Sequence, residues 1–291
     1  MGTLYLVSTP IGNLEDITLR ALRVLREASL IAAEDTRHTR RLLSHYEITV
    51  PCMSYHEHNK YARQNTILDA LAAGDVALVS DAGTPALSDP GLELVQACIQ
   101  AGITVSPIPG PSAPMAALVA SGLPTDSVFF IGFLPRRSSE RRTLLDKLAP
   151  LPATLVCFET PHRLLAALSD AQAVLGNRPI VVAREITKLH EAFIRAPIAT
   201  AMEHFTAHPP RGEFTLVIAG PHTVPDTDAD PAAPDEATII QRLQALLDQG
   251  YRSSDAARLV AKELGIHRRT VYSLALTLKT EQQSEEEEEN E

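Results

Sequence analysis

Short apolar runs without period-two alternation recur along the first two thirds of the chain, at residues 4–7, 29–33, 76–79 and 104–108. Continuous apolarity of this length suits parallel strands covered on both faces. Stretches of helical period separate the runs. In the first, Leu19, Leu22, Val24 and Leu25 form a stripe opposite Arg20, Arg23 and Arg26, with Asp16 or Thr18 as cap. Others are expected after residue 36 and over 64–73, 91–101 and 115–121. Strand and helix in alternation predict an α/β domain whose post-strand loops gather along one sheet edge. A second α/β unit follows, with strands at 128–133, 154–158, 180–183 and 214–218 and a helix over 138–148.

Periodicity then lapses in a Pro-, Asp- and Ala-rich stretch and returns at Ile239, Ile240, Leu243, Leu246 and Leu247. Two more helices are expected, over 254–264 and 268–278. Ala261, Gly265 and Val271 stand at helix-turn-helix spacing: a small packing residue, a turn glycine and an apolar anchor. The expected organisation is an α/β domain over 1–112, a second over 113–222, a linker over 223–236, an all-α module over 237–279 and a disordered tail over 280–291.

Charge changes the picture mainly through that tail. The formal net charge of −10 includes seven glutamates among the last eleven residues, which leaves 29 acids against 26 bases elsewhere. The body is nearly neutral, so overall acidity does not exclude an anionic partner. The helical module itself carries seven bases against three acids. Cys52, Cys98 and Cys157 are too few and scattered for a disulfide framework or a paired metal site. With no apolar leader and no long apolar run, a cytoplasmic protein without membrane attachment is expected. The absence of Trp and an aromatic content of 4% argue against base-stacking platforms of the single-strand-binding kind.

The candidate chemistry centres on residues 76–91, where the run Val-Ala-Leu-Val opens into Ser80, Asp81, Ala82 and Gly83. Ligands bind at the carboxyl ends of parallel strands, and small residues leave room for one there. A rigid turn fixed by Pro85 and Pro90 is the structural alternative. No G-x-G-x-x-G follows the first strand, which disfavours a nicotinamide cofactor.

Seven blocks in order, T-P-I-G-N-L-E-D-I-T-L-R-A-L, E-D-T-R, S-D-A-G-T-P-A-L-S-D-P-G, P-I-P-G-P-S-A, G-F-L-P, E-T-P-H-R-L and E-I-T-K-L-H-E, span residues 9 to 191. Together they resemble the bacterial 16S ribosomal RNA ribose methyltransferases of the tetrapyrrole methylase superfamily. The resemblance implies two α/β domains with a cleft between them, a small helix-turn-helix-like module, a homodimer and S-adenosylmethionine as methyl donor without a metal. It further implies 2′-O-methylation of a cytidine ribose in the decoding region of 16S RNA, on naked RNA or the 30S subunit. The porphyrin-modifying relatives carry G-x-G-P-G-D in the first loop; here residues 9–16 depart from it, which weakens a tetrapyrrole C-methyltransferase reading. A further alternative is a DNA-binding regulator that senses S-adenosylmethionine.

By the same resemblance, Asp81, Ala82, Gly83, Thr84 and Pro85 surround the donor, with Pro10, Ser112 and Ala113 as further walls. Methyl transfer from a sulfonium is an in-line displacement in which positioning is the main task, and a base that takes the hydroxyl proton adds to it. Glu34, Asp35, Glu159 and Lys188 are the candidates, Lys188 first as an orienting charge because a lysine base must lose its proton. The pairs formed by Glu185, Lys188 and Glu191 also fit the surface of a helix start. Arg37, Arg40 and Arg41 with His38, and Arg136, Arg137, Arg141 and Arg142, form two basic clusters for RNA phosphates. Arg268 and Arg269 in the module add a third, with docking on a dimer partner as the alternative use of that module.

Overall fold

The computed structural model describes residues 2–221, 236–251, 253–264, 271 and 274. The first sheet contains β1 (Leu4–Val7), β2 (Leu30–Ala33), β3 (Cys52–Ser54), β4 (Val76–Val79) and β5 (Val105–Ile108). All its pairings are parallel, in the order β3-β2-β4-β1-β5. Every residue of β4 is buried, as the unbroken apolar run requires of a central strand with both faces covered.

Four helices connect and cover these strands, α1 (Leu19–Glu27), α2 (Thr36–His45), α3 (Lys60–Ala73) and α4 (Leu92–Gln100), while α5 (Ala113–Ser121) follows β5 and packs its Ala117 and Leu118 on the second sheet. The Thr18 side chain accepts from the Ala21 N–H at 3.1 Å and caps α1, which buries Leu22, Val24 and Leu25 against the sheet. Leu19 departs from the predicted stripe. It opens the helix and is 86% exposed.

The second sheet contains β6 (Val128–Phe133), β7 (Thr154–Glu159), β8 (Pro179–Arg184), β9 (Ala192–Pro197) and β10 (Phe214–Ile218), in the order β6-β7-β10-β8-β9. Its helices are α6 (Ser138–Leu148), α7 (Pro161–Leu175) and α8 (Ile198–Ala207). Only β6 and β7 run parallel; β10 is antiparallel to both β7 and β8, and β9 to β8. The E-I-T-K block therefore forms the turn of a hairpin between β8 and β9 rather than a helix start. Glu185 at φ 51 and Thr187 at φ 66 hold left-handed backbone in that turn. Such conformations are strained for side chains of this kind and cluster where a site is built.

The carboxyl-terminal unit, separate from the first in its contacts, contains α9 (Glu236–Asp248) and α10 (Ser253–Leu264). Leu243, Ala257, Val260 and Val271 are fully buried in its small core, with Ala261 close behind. Gly265, Arg268, Arg269, residues 223–235 and the acidic tail lie outside the described residues.

Candidate functional site

A cavity of about 390 Å³ opens between the two sheets, walled by loops that follow β2, β4 and β5 on one side and by residues around β6, β7, the hairpin turn and β10 on the other. Its size falls within the roughly 300–1,000 Å³ of small-molecule sites. Asp81, Ala82, Gly83 and Thr84 form the rim beyond β4, and Ser112 and Ala113 the start of α5. Gly83 has φ +84, and a Cβ there would lie 3.4 Å from Ile11 Cγ2. Its N–H and carbonyl pair with those of Thr9 at 3.1 and 2.8 Å, so the loops after β1 and β4 are tied edge to edge. Pro85 is buried and Pro10 faces a different hollow, which places both outside this cavity.

The four candidate bases separate in space. Glu34 lines the cavity and accepts the Asp81 N–H at 3.3 Å. Burial pushes its carboxyl upward, opposed by that hydrogen bond and reinforced by the Asp81 charge. Glu159 also lines it, but its carboxylate is buried and bound to the Thr160 N–H at 2.8 Å and to Arg163 at 3.2 Å. Asp35 caps α2 instead, accepting the Arg37 N–H at 2.8 Å and the Arg37 guanidinium at 2.7 Å. Those bonds hold its carboxyl well below the usual range and commit the Arg37 head.

Lys188 lies behind the cavity rim, 3.0 Å from both Glu185 and Glu213. Burial alone would lower its ammonium, but the two carboxylates outweigh it and the net shift is upward. Lys188 is thus a cation held between carboxylates and is unsuited to accept a proton. Its stem packs on the first loop: a Cβ at Gly12 would meet Lys188 Cγ at 2.4 Å.

Sequence reasoning missed Asp89, Phe133, Phe158, Glu213 and Thr215, which also line the cavity. Asp89 is pushed up to about 6 by burial and by the Glu34 and Asp81 charges, against a Ser80 hydrogen bond that lowers it. Phe133 and Phe158 pack at 5.3 Å between ring centres and give one end an aromatic wall. Asp89 lies within a recognised block, yet only the fold shows that its carboxyl is buried beside two others.

The second basic cluster needs a correction. Arg141 is 3% exposed and bonds Asp170, itself 4% exposed, at 2.5 Å across α6 and α7. Its side chain also donates to the Pro135 carbonyl at 3.1 Å, so it cannot reach a phosphate. Arg142 shares Asp170 but is 53% exposed, and Arg137 pairs with Glu140 at the surface. Arg136 is exposed on the same turn. No group of metal-ligating side chains occurs among the described residues, nor any helix long and apolar enough to cross a membrane.

Residues 3–202 match the tetrapyrrole (corrin/porphyrin) methylases, and residues 233–279 match the RsmI C-terminal HTH domain. The chain is 50% identical to the Ribosomal RNA small subunit methyltransferase I of Synechocystis sp., over 97% of this chain and 100% of that protein. It is 41% identical to the Bacillus subtilis protein of the same name, over 94% and 93% of the two chains. Cobalt precorrin-4 methyltransferase, a cobalamin biosynthetic enzyme, superposes with a TM-score of 0.58 at 18% identity, covering 75% of this chain and 94% of that one. Diphthine synthase does so at 0.59 and 14%, over 75% and 90%; at such identity the likeness is one of fold. The chain therefore belongs to the ribosomal RNA small subunit methyltransferase I family, within the tetrapyrrole methylases.

Proposed function

We propose that this protein transfers the methyl group of S-adenosylmethionine to the ribose 2′-hydroxyl of a cytidine in the decoding region of 16S ribosomal RNA, acting on the RNA or the 30S subunit. The observation that carries the reading is the cavity between the sheets, in a chain half identical to a named methyltransferase over nearly its whole length. The lining fits the donor. S-adenosylmethionine carries a sulfonium and an ammonium, and Glu34, Asp81, Asp89 and Glu213 give the cavity an anionic lining. Gly83 and Ala113 leave volume beside them, and Phe133 with Phe158 offers a face for an adenine ring.

When bound, the donor supplies an activated methyl group. The work left to the chain is to hold the acceptor oxygen roughly 3 Å from the methyl carbon along the S–C axis. Glu34, with its carboxyl shifted upward, is the candidate to receive the hydroxyl proton; Lys188, fixed between Glu185 and Glu213, shapes the rim. Exposed arginines on α2, together with Arg136, serve RNA phosphates in this reading, and the helix-turn-helix module adds reach. A homodimer belongs to the reading too, supported by the exposed apolar side chains of Met115, Val119 and Phe129. A cytoplasmic setting is supported by three free cysteines. Against a tetrapyrrole substrate stands the first loop, which lacks the porphyrin pattern.

Mapping 2′-O-methylation on 16S RNA from cells with and without the gene tests the activity directly. Loss of one cytidine methyl that returns on complementation is expected. An unchanged methylation map rejects the proposal.

A further inference from the structure

A second hollow of about 220 Å³ adjoins the first, lined by Thr9, Pro10 and Leu14 of the first loop, His38 and Arg41 of α2, and Ser80 with Asp81 beyond β4. Asp81 lines both hollows. The remainder of their boundary is rigid, because Thr9 and Gly83 are tied by two backbone hydrogen bonds and Thr9 Oγ1 donates to the Ser80 carbonyl at 3.2 Å. The Asp81 carboxylate is itself anchored by the Asp35 N–H at 3.0 Å. On the outer side, the Leu14 carbonyl accepts from Tyr46 Oη at 2.7 Å, which fixes the loop on α2 and its C-cap.

Charge on this hollow is selective. Of the basic residues on α2, Arg37 is committed to Asp35, whereas His38 and Arg41, three apart on one helix face, are exposed at the lining. Arg41 makes no ion pair among the described residues. The volume falls below the usual range for a whole cofactor and suits a fragment of a larger ligand. We propose that this second hollow receives the ribose and one flanking phosphate of the acceptor nucleotide, with Arg41 and His38 on the phosphate and the 2′-hydroxyl delivered past Asp81 into the donor cavity.

The inference rests on the methyltransferase reading above and adds where the acceptor sits. The nucleotide must leave its stack to enter, as single-stranded or looped RNA allows. In the transfer, the hydroxyl oxygen bonds the methyl carbon while the sulfur keeps the electron pair of the broken S–C bond. The hydroxyl proton passes to the Glu34 carboxylate in the first cavity and on to solvent.

The test uses the full-length protein, S-adenosylmethionine and 30S particles. Leu14→Trp fills the hollow without altering the backbone carbonyl that holds the loop, and Arg41→Ala removes only an exposed charge. Both variants should bind S-adenosylmethionine within twofold of wild type by calorimetry. Leu14→Trp should lose at least tenfold in kcat/KM, and Arg41→Ala should raise KM for 30S particles about tenfold with kcat preserved. Parallel loss of donor affinity in Leu14→Trp would assign the hollow to the donor and overturn the proposal, as would wild-type methylation by that variant. Should Leu14→Trp fail to fold, an unchanged KM in Arg41→Ala overturns it instead. A wild-type protein that binds no donor or leaves the RNA unmethylated defeats the proposed activity, an outcome separate from failure of this site.

Discussion

Gly83 illustrates how much one backbone angle constrains the site. Its φ of +84 is costly for any residue with a Cβ, by roughly 1–2 kcal/mol, and a longer side chain there would take up volume of the cavity that Gly83 lines. Gly83→Leu is expected to lower stability by about that amount and to abolish S-adenosylmethionine binding, measured by calorimetry on the folded variant. Asp89 makes a pH-dependent prediction. Its carboxyl titrates near 6 in the folded protein against 3.8 in a free chain, so between those values the folded state holds more protons than the unfolded one. Stability from this group is therefore complete below about pH 4 and falls as pH rises through 6. Denaturant titrations across that window should show the decline, and Asp89→Asn should remove it. The Asp-Ala-Gly-Thr segment could be read as a loop of small residues beyond a buried strand, with a rigid turn as the alternative, and the structure sets it along the cavity. The states of Asp89 and Arg141 were not legible, since the burial of Asp89 beside Glu34 and the pairing of Arg141 with Asp170 both come from segments distant in sequence.

Among the elements, length alone did not decide legibility: α7, with 15 residues, and α8, with 10, were not anticipated from the sequence, nor were β3 and β9. β4 could be read from four consecutive apolar residues, and α6 from its charged face. β3 has three residues, too few to show a period, and β9 interrupts its apolar positions with Arg195 and Pro197. The Arg141–Asp170 pair is a bolt between α6 and α7. Burial raises the Asp170 carboxyl, yet its bonds to Arg142, Ser138 and Arg141 reverse that and leave it lowered. Removing one partner of such a pair costs about 3–5 kcal/mol, and Arg141→Ala should approach the lower figure because Ser138 and Arg142 still hold Asp170. Thermal or denaturant unfolding checks this. The helical module forms a unit of its own, so ending the chain after Pro234 should spare donor binding in calorimetry while weakening methylation of 30S particles.

For the whole molecule, a formal charge of −10 coexists with a body that is nearly balanced, and the sign of the total is a poor guide to its partner. RNA affinity that depends on α2 and Arg136 should fall steeply with salt, each released counterion adding to the slope of log affinity against log salt. A flat salt response would remove phosphate contacts from the account. The order of strands carries a last consequence. Every strand of the first sheet has been made by Ile108, whereas the second sheet is held together at its middle by β10, the last to be made, which also contributes Phe214 and Thr215 to the cavity between the sheets. During translation the leading half can pack while the trailing half waits with β7 and β8 unjoined. A nascent chain interrupted before residue 214 therefore exposes two open strand edges to proteases, and its cavity lacks the wall that Phe214 and Thr215 supply.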